Sequence, residues 1–137
     1  MPYKFEKLEI WQLSLEYVDL IYRLAEKLPR SEDFNLKSQI VRAATSIALN
    51  IAEGSTGQTD PEQARFLGMA IRSLIETVAC QHLIDRRGYL ADKADLREAY
   101  RQSQELARQL QAFRKSLLAS HQVGESQPEY LVEDAEL

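Results

Sequence analysis

The chain contains 137 residues, of which 45% are hydrophobic and 28% are charged, and its formal net charge at pH 7 is −4. These values suit one folded domain with a buried core, and they argue against a membrane protein because the longest apolar runs are far too short to cross a bilayer. Since the first residues lack the apolar core of a signal peptide and Cys80 is the single cysteine, we expect a cytoplasmic protein without an intrachain disulfide.

Helix 1 is predicted from about Leu8 to Leu28 and has apolar residues on two sides. An outer helix of a monomeric bundle needs only one apolar stripe, so we predict that helix 1 also mediates self-association. The alternative is that helix 1 is simply the most buried element of the bundle. One side contains Trp11, Leu15, Val18, Tyr22 and Ala25, and the other contains Ile10, Leu13, Tyr17, Leu20, Ile21, Leu24 and Leu28.

Helix 2 is predicted from Asn35 or Leu36 to Glu53, with Gly54 as the left-handed residue that ends it. Its apolar face comprises Leu36, Ile40, Ala43, Ala44, Ile47, Ala48 and Ile51. Short Ser and Asn side chains follow its other side, where they are mildly unfavourable unless they form specific hydrogen bonds. We interpret these residues as a polar seam that either stabilises the bundle or binds a partner. The polar seam comprises Gln39, Arg42, Ser46, Asn50 and Glu53 of helix 2, with Ser73 and Glu76 of helix 3 as the facing residues.

Helix 3 is predicted to begin with Asp60 as the N-cap and Pro61 in the first turn, with Gln63 completing a capping box, and to end before Gly88. Helix 4 is predicted from about Asp92 to Ser120. Its core stripe comprises Leu96, Ala99, Ser103, Leu106, Leu110, Phe113 and Leu117. Because short connections join the four helices, the predicted fold is all-α, an up-down antiparallel four-helix bundle.

At ~100° per residue, five cations of helix 4 fall within an arc of about 80° around the helix axis. Asp95, Glu98 and Glu105 are predicted on the opposite flank of the core stripe. This arrangement could follow the phosphate backbone of RNA or DNA, although it could also be an ordinary solvated face. We define the basic stripe as Lys93, Arg97, Arg101, Arg108 and Lys115.

The negative charge is concentrated at the C-terminus. All 17 Lys and Arg residues and 16 of the 21 acids lie in residues 1–120, which leaves that segment near neutral, whereas the other five acids lie in residues 121–137. We predict a bundle domain over residues 1–120 and an acidic C-terminal tail over residues 121–137. The tail is interpreted as a disordered solubilising segment or, alternatively, as one that folds back on a basic surface and competes with a polyanion.

The sequence predicts no catalytic residue, no metal site and no cofactor. Neither His82 nor His121 has a Glu three residues before it, as an inward di-iron motif requires. Cys80 and His82 point about 200° apart on a helix, so they suit no shared ligand set. Cys80 lies among apolar residues, where a buried, inert thiol is expected.

One group of residues in helix 2 resembles a family signature. Gln39, Arg42 to Ala44, Ser46, Ile47 and Asn50 to Gly54 resemble the signature of four-helix-bundle proteins encoded in intervening sequences of bacterial 23S rRNA genes, a family similar to the accessory variability proteins of diversity-generating retroelements. Further matches are Phe5, Leu8, Trp11, Gln12, Leu28, Pro29, Arg65, Phe66, Leu67, Ala70, Ser73 and Glu76, so the resemblance covers residues 5–118.

The resemblance implies a left-handed up-down bundle that forms a ring-like homopentamer and has no enzymatic activity. In the retroelement relatives it implies binding to nucleic acid and to a reverse transcriptase. The chain departs from the family pattern at Gln63 and Arg72, where the family often has an aromatic residue and usually has Gly, and its loop 54–59 lacks the common basic residue. These departures weaken any transfer of nucleic-acid binding through that loop from the family to this chain.

We therefore predict a non-enzymatic, homo-oligomeric bacterial protein that binds RNA or DNA through the basic stripe, with a reverse transcriptase or another protein as a further partner. The alternative is a protein-interaction scaffold without a nucleic-acid role. An enzyme is the least favoured interpretation, because catalysis would need a cluster of acid and base groups with perturbed pKa values in a deep pocket.

Overall fold

The computed structural model describes residues 3–56 and 59–123, with side chains to residue 120. Four helices form the described part of the chain, and it contains no strand, which confirms the predicted fold class. They are α1 (Glu9–Glu26), α2 (Leu36–Gly54), α3 (Asp60–Arg87) and α4 (Ala94–Val123), with 3₁₀ turns at Lys4–Lys7 and Arg30–Glu32. Each helix packs against two neighbours in the cyclic order α1, α2, α3, α4, which is the arrangement of an up-down bundle.

The core lies where the apolar spacing of the sequence places it. Every residue of the predicted apolar face of α2 is buried, and so is every residue of the predicted core stripe of α4. Ser103 is the one polar member of that stripe, and its hydroxyl donates a hydrogen bond to the carbonyl of Tyr100 at 2.6 Å. Because the donor is satisfied inside its own helix, the serine is buried without an unpaired proton.

Helix α3 begins one residue earlier than predicted. Thr59 has extended backbone angles and is the N-cap, and its hydroxyl accepts a hydrogen bond from the Glu62 amide at 3.3 Å. The prediction of Asp60 as the N-cap is therefore wrong, because Asp60 is already the first helical residue. Gln63 is buried and its Nε2 has no partner among the described residues. The predicted end is confirmed, since Gly88 caps α3 with φ of 70°.

Gly54 does not end α2 as a left-handed residue. It is the last residue of the helix itself, and among the described glycines the positive φ occurs at Gly88. A Cβ atom at Gly54 would lie 2.7 Å from Cβ of Phe66 on α3. The glycine is therefore explained by the close approach of α3 rather than by the need for a left-handed conformation.

One side of α1 is only partly covered by the rest of the bundle. Of the residues on the side that begins with Trp11, Ala25 is buried and Val18 is half-buried, but Leu15 and Tyr22 are 38% and 41% exposed. Trp11 is half-buried and its ring meets the Phe5 ring edge-on, with centroids 4.6 Å apart. We call Trp11, Leu15, Val18 and Tyr22 the α1 side face.

Helix α4 continues to Val123, three residues beyond its predicted end, and so includes the first residues assigned to the acidic tail. The remainder of that tail, residues 124–137, lies outside the described part of the chain. Within the described part, no helix is both long enough and apolar enough to cross a membrane.

Candidate nucleic-acid interface

The basic stripe lies on the solvent-exposed side of α4, and Lys93, Arg97 and Lys115 border the groove between α4 and α3. Lys93 immediately precedes the helix, the other four members lie within it, and all five side chains are exposed. At about 1.5 Å per residue, the stripe extends about 33 Å along the helix axis. The structure therefore places the five cations on one continuous surface.

The acids of α4 do not lie apart from these cations, so the expected segregation of charge is wrong for two of the arginines. Arg101 forms an ion pair with Glu98, and Arg108 forms one with Glu105. The reason is that residues three apart in sequence are neighbours on the helix surface, and an Arg side chain is long enough to reach the glutamate three residues before it. The pKa of each glutamate is lowered to about 2. The hydrogen bond from the paired arginine is the largest cause, and a hydrogen bond from a neighbouring glutamine is the second.

Lys93 is also paired, through an ion pair of 2.9 Å between its Nζ and Oδ1 of Asp85 on α3. Among the described residues, no carboxylate lies within ion-pair distance of Arg97 or Lys115. The basic stripe thus contains three paired cations and two that are available without breaking an ion pair inside the described part of the chain.

Arg97 and Lys115 each line a cavity in the groove between α3 and α4. The first cavity, of about 350 Å³, lies near the C-terminal end of α3, and its walls include Gln81, His82, Asp85, Lys93, Arg97 and Tyr100. The rings of His82 and Tyr100 meet edge-on in its wall, with centroids 6.0 Å apart. This cavity combines two cations with two exposed aromatic rings.

The second cavity, of about 480 Å³, lies at the other end of the groove beside Lys115 and Arg114. The Arg114 Nε donates a hydrogen bond of 3.2 Å to the carbonyl of Ala64 on α3. A Cβ atom at Gly68 would lie 3.4 Å from that nitrogen, about an ordinary van der Waals distance, so the guanidinium crosses the groove close to Gly68. Arg114 is a cation of this face that the sequence analysis missed, because it lies near the core stripe on the helical wheel.

The polar seam divides into a bonded group and an exposed group. Asn50 donates from Nδ2 to the Ser46 carbonyl at 2.9 Å and to the Ser46 hydroxyl at 3.1 Å, and the Ser73 hydroxyl donates to that same hydroxyl at 3.0 Å. Gln39 donates instead to the side-chain oxygen of Asn35, the N-cap residue of α2. The remaining members of the seam, which are all exposed, are Arg42, Glu53 and Glu76.

Three buried polar residues that the sequence analysis missed lie close to the first cavity. The Tyr17 hydroxyl of α1 lies 2.7 Å from Thr77 Oγ1 and 2.7 Å from Gln81 Nε2, both on α3. Burial raises the pKa of Tyr17 to about 12. The one available signal in the sequence was the spacing of Thr77 and Gln81 by four residues on a face otherwise occupied by apolar side chains.

The described residues contain no group of three His, Cys, Asp or Glu side chains that could hold a metal ion. Cys80 is buried. Burial is the larger cause that raises the pKa of its thiol, and the negative charge of Glu76 is the smaller one. The thiol is therefore less nucleophilic than a free cysteine at neutral pH.

Comparison with known proteins identifies the family. The family model for the 23S rRNA-intervening sequence protein matches residues 6–112. Among solved structures, a protein of unknown function from the S23 ribosomal protein family of Bacteroides thetaiotaomicron VPI-5482 is 26% identical, with a TM-score of 0.70 over 77% of this chain and 98% of that chain. No curated protein matches the sequence. Because the family model covers most of the chain, including all of α1, α2 and α3, the chain belongs to the 23S rRNA-intervening sequence protein family.

Proposed function

We propose that this protein binds RNA or DNA through contacts between the basic stripe and the phosphate backbone, and that its role is binding rather than catalysis. The observation that carries the proposal is the continuous exposure of all five cations on one side of α4. A backbone-tracking surface needs regularly spaced, solvent-accessible cations, and it needs no base-specific geometry.

The ion pairs with Glu98 and Glu105 do not prevent this function. Both Arg101 and Arg108 side chains are about two-thirds exposed, and exposed ion pairs contribute little to stability. A phosphate oxygen can therefore replace each glutamate at small cost, and Arg97 and Lys115 need no such exchange within the described residues. The pairs lower the affinity of the stripe, but they leave it able to bind.

The test is fluorescence anisotropy of labelled single-stranded and double-stranded RNA and DNA at several salt concentrations. For the wild-type protein we expect affinity to fall steeply with salt, with a log–log slope of about −4.5 on duplex DNA if the five cations contact phosphates. The triple variant Arg97→Glu, Arg101→Glu and Arg108→Glu should abolish that binding. A matched control is Lys4→Glu, Arg23→Glu and Arg30→Glu, which changes the charge equally at exposed positions outside α4.

Equal losses in the two triple variants would show that net charge alone governs binding, and the assignment to the basic stripe would be wrong. Absence of binding at low salt would overturn the proposal and favour a protein-interaction scaffold. That second function is supported by the exposed apolar residues of the α1 side face, since such surfaces commonly contact other proteins.

We further propose that the protein forms a homo-oligomer through the α1 side face, and the family resemblance suggests a pentamer. Exposure of Leu15 and Tyr22 beside Trp11 and Val18 supports this proposal, because burial of that face against another subunit would remove apolar surface from water. In a ring of subunits the basic stripe would be repeated, so weak phosphate contacts would add to a useful affinity.

Sedimentation equilibrium tests the oligomer directly. The double variant Leu15→Glu and Tyr22→Glu should yield the monomer mass, because it places two charges in the contact. Leu49→Glu is the control, since Leu49 is 55% exposed on α2 and lies outside the α1 side face. A wild-type monomer at high protein concentration would contradict the proposal.

A further inference from the structure

A chain of hydrogen bonds fixes the orientation of the Gln81 side-chain amide. Thr77 Oγ1 donates its single proton to the Leu74 carbonyl at 2.6 Å. In its hydrogen bond with Tyr17 it can therefore only be the acceptor. The single proton of the Tyr17 hydroxyl is thereby directed to Thr77. Gln81 must consequently donate to Tyr17 from Nε2, because a hydroxyl that has used its proton can only accept another bond.

The Oε1 atom of Gln81 is left without a partner among the described residues, although the residue is only 3% exposed. A buried carbonyl oxygen without a hydrogen bond is costly, and native structures contain few of them. Gln81 also lines the cavity that contains Tyr100 and Arg97. Since Nε2 is committed to Tyr17, Oε1 is the amide atom whose acceptor capacity is unused, and it belongs to a residue that lines the cavity.

The other walls of the cavity restrict the chemistry of that group. Arg97 supplies a positive charge that no described carboxylate neutralises, while the charge of Lys93 is shared with Asp85. Tyr100 is 44% exposed and presents its ring at the same site. A matching ligand carries an anionic group, a flat ring and an N–H donor, and these three features occur together in a nucleotide.

We propose that the cavity between α3 and α4 receives one unpaired nucleotide, whose base lies against Tyr100 and donates an N–H to Gln81 Oε1 while its phosphate contacts Arg97. The inference rests on the proposed function for the source of the nucleotide, since the cavity lies at one end of the basic stripe. All four common bases carry an N–H donor, so the cavity would favour unpaired bases over duplex without demanding one sequence.

The experiment compares three labelled probes by anisotropy: a single strand, the corresponding duplex, and a strand of equal length in which abasic residues replace the nucleotides. The abasic strand has the same phosphate charge and no bases. We expect the intact strand to bind about tenfold more tightly than the abasic strand, as a stacked and hydrogen-bonded base would produce.

Variants then connect the preference for bases to the cavity. Tyr100→Ala and Gln81→Met should each reduce the ratio of intact-strand to abasic-strand affinity to near one. Because Tyr100 is exposed, its variant retains the fold and keeps the test decisive even where the buried Gln81 variant is unstable. Phe34→Ala is the matched control, since it removes a fully exposed aromatic ring outside the cavity. Arg108→Glu should weaken intact and abasic strands equally.

The outcomes separate this inference from the proposed function. Equal binding of intact and abasic strands by the wild-type protein would overturn the cavity proposal and retain phosphate binding by the basic stripe. If no strand binds, the proposed function fails, and nucleoside monophosphates are titrated while the NMR signal of the Gln81 side-chain amide is followed. A shift of that signal that Tyr100→Ala removes would assign the cavity to a free nucleotide, whereas no shift would overturn the cavity proposal as well.

Discussion

The hydroxyl of Ser73 on α3 donates a hydrogen bond of 3.0 Å to the hydroxyl of Ser46 on α2, and it thereby joins two neighbouring helices through the polar seam. The same Ser46 oxygen accepts from Asn50, so one atom connects both contacts. Directional bonds between adjacent helices define their relative register in a way that apolar packing alone does not.

Replacing Asn50 tests whether this group stabilises the bundle. Asn50→Ala should lower the free energy of unfolding by about 1–2 kcal/mol, because two hydrogen bonds are lost and the higher helix propensity of Ala offsets only part of that loss. Urea unfolding followed by circular dichroism measures the change. Glu53→Ala is the control and should stay within about 0.5 kcal/mol, since Glu53 is exposed. Unchanged stability with weakened nucleic-acid binding would instead identify the seam as a binding site.

Removing the acids that pair with the basic stripe should strengthen nucleic-acid binding. In the double variant Glu98→Gln and Glu105→Gln, Arg101 and Arg108 lose their ion pairs and become available to phosphate. We expect affinity at low salt to rise about 3–10-fold, a modest gain because exposed ion pairs are weak and are cheaply replaced.

The control for this prediction is Asp19→Asn and Glu26→Gln, which makes the same change of charge at exposed positions of α1. Anisotropy titrations at matched ionic strength compare the two double variants. An equal gain in both would show that the effect reflects total charge and not the release of the two arginines.

The contact between Glu32 and Tyr89 predicts a pH-dependent contribution to stability. The Tyr89 hydroxyl donates to Glu32 Oε2 at 2.5 Å, and the other carboxylate oxygen accepts from the Leu36 amide at the start of α2. These bonds, with that from Tyr89 the largest cause, hold the pKa of Glu32 below its ordinary value of 4.5. Since the folded-state pKa is lowered, the stabilisation is fully present above pH 4.5 and is lost as the pH falls through the folded-state pKa.

Tyr89→Phe removes the largest cause of that shift. The variant should be less stable than the wild type at pH 7, and the difference should shrink as the pH is lowered below 4.5, because protonation weakens the same bond in the wild type. Urea midpoints at pH 7 and at acidic pH provide the measurement, with Tyr3→Phe as the control at an exposed tyrosine outside the α1 side face. A difference that stays constant with pH would rule out the linkage to Glu32.

Two glycines should respond in opposite ways to replacement by alanine. At Gly54 the new Cβ would lie 2.7 Å from Cβ of Phe66, a packed atom that cannot move without shifting α3. We expect Gly54→Ala to destabilise the protein by about 1–3 kcal/mol. At Gly68 the nearest atom is the Arg114 Nε at 3.4 Å, which belongs to a flexible side chain, so Gly68→Ala should be neutral or stabilising by up to about 1 kcal/mol.

Thermal or urea unfolding of the two variants side by side provides the check, since each is the control for the other. If Gly54→Ala were as stable as Gly68→Ala, the close approach of α2 and α3 at Phe66 would not be the reason for the glycine.

Much of the fold followed from periodicity. The apolar faces of α2 and α4 were predicted residue by residue, because side chains that repeat at 3.6-residue intervals can share only one side of a helix. The ends of the helices were less predictable. Thr59 and Asp60 are both good N-cap residues, and only the backbone angles decide between them. Gly54 shows the same limit, since either a left-handed turn or a close helix contact would select a glycine.

The candidate site was predicted only in part. The five cations of the basic stripe share one side of α4 because helical geometry requires it, but their ion pairs with Glu98 and Glu105 depend on how far side chains reach across the helix surface. Gln81 could not have been linked to Tyr17 from sequence, because 64 residues separate them. The cavity could not have been predicted from the sequence either, because it exists only where α3 and α4 meet.

The sequence by itself determined the helical class, the core faces and the position of the basic stripe, because these depend on spacing within single helices. Tertiary structure alone decided the residues that meet across helices, namely Ser46 with Ser73, Gly54 with Phe66, and Tyr17 with Thr77 and Gln81. The physical reason is that helical periodicity assigns a side chain to a face, whereas the partner it meets there depends on the register and separation of two packed helices.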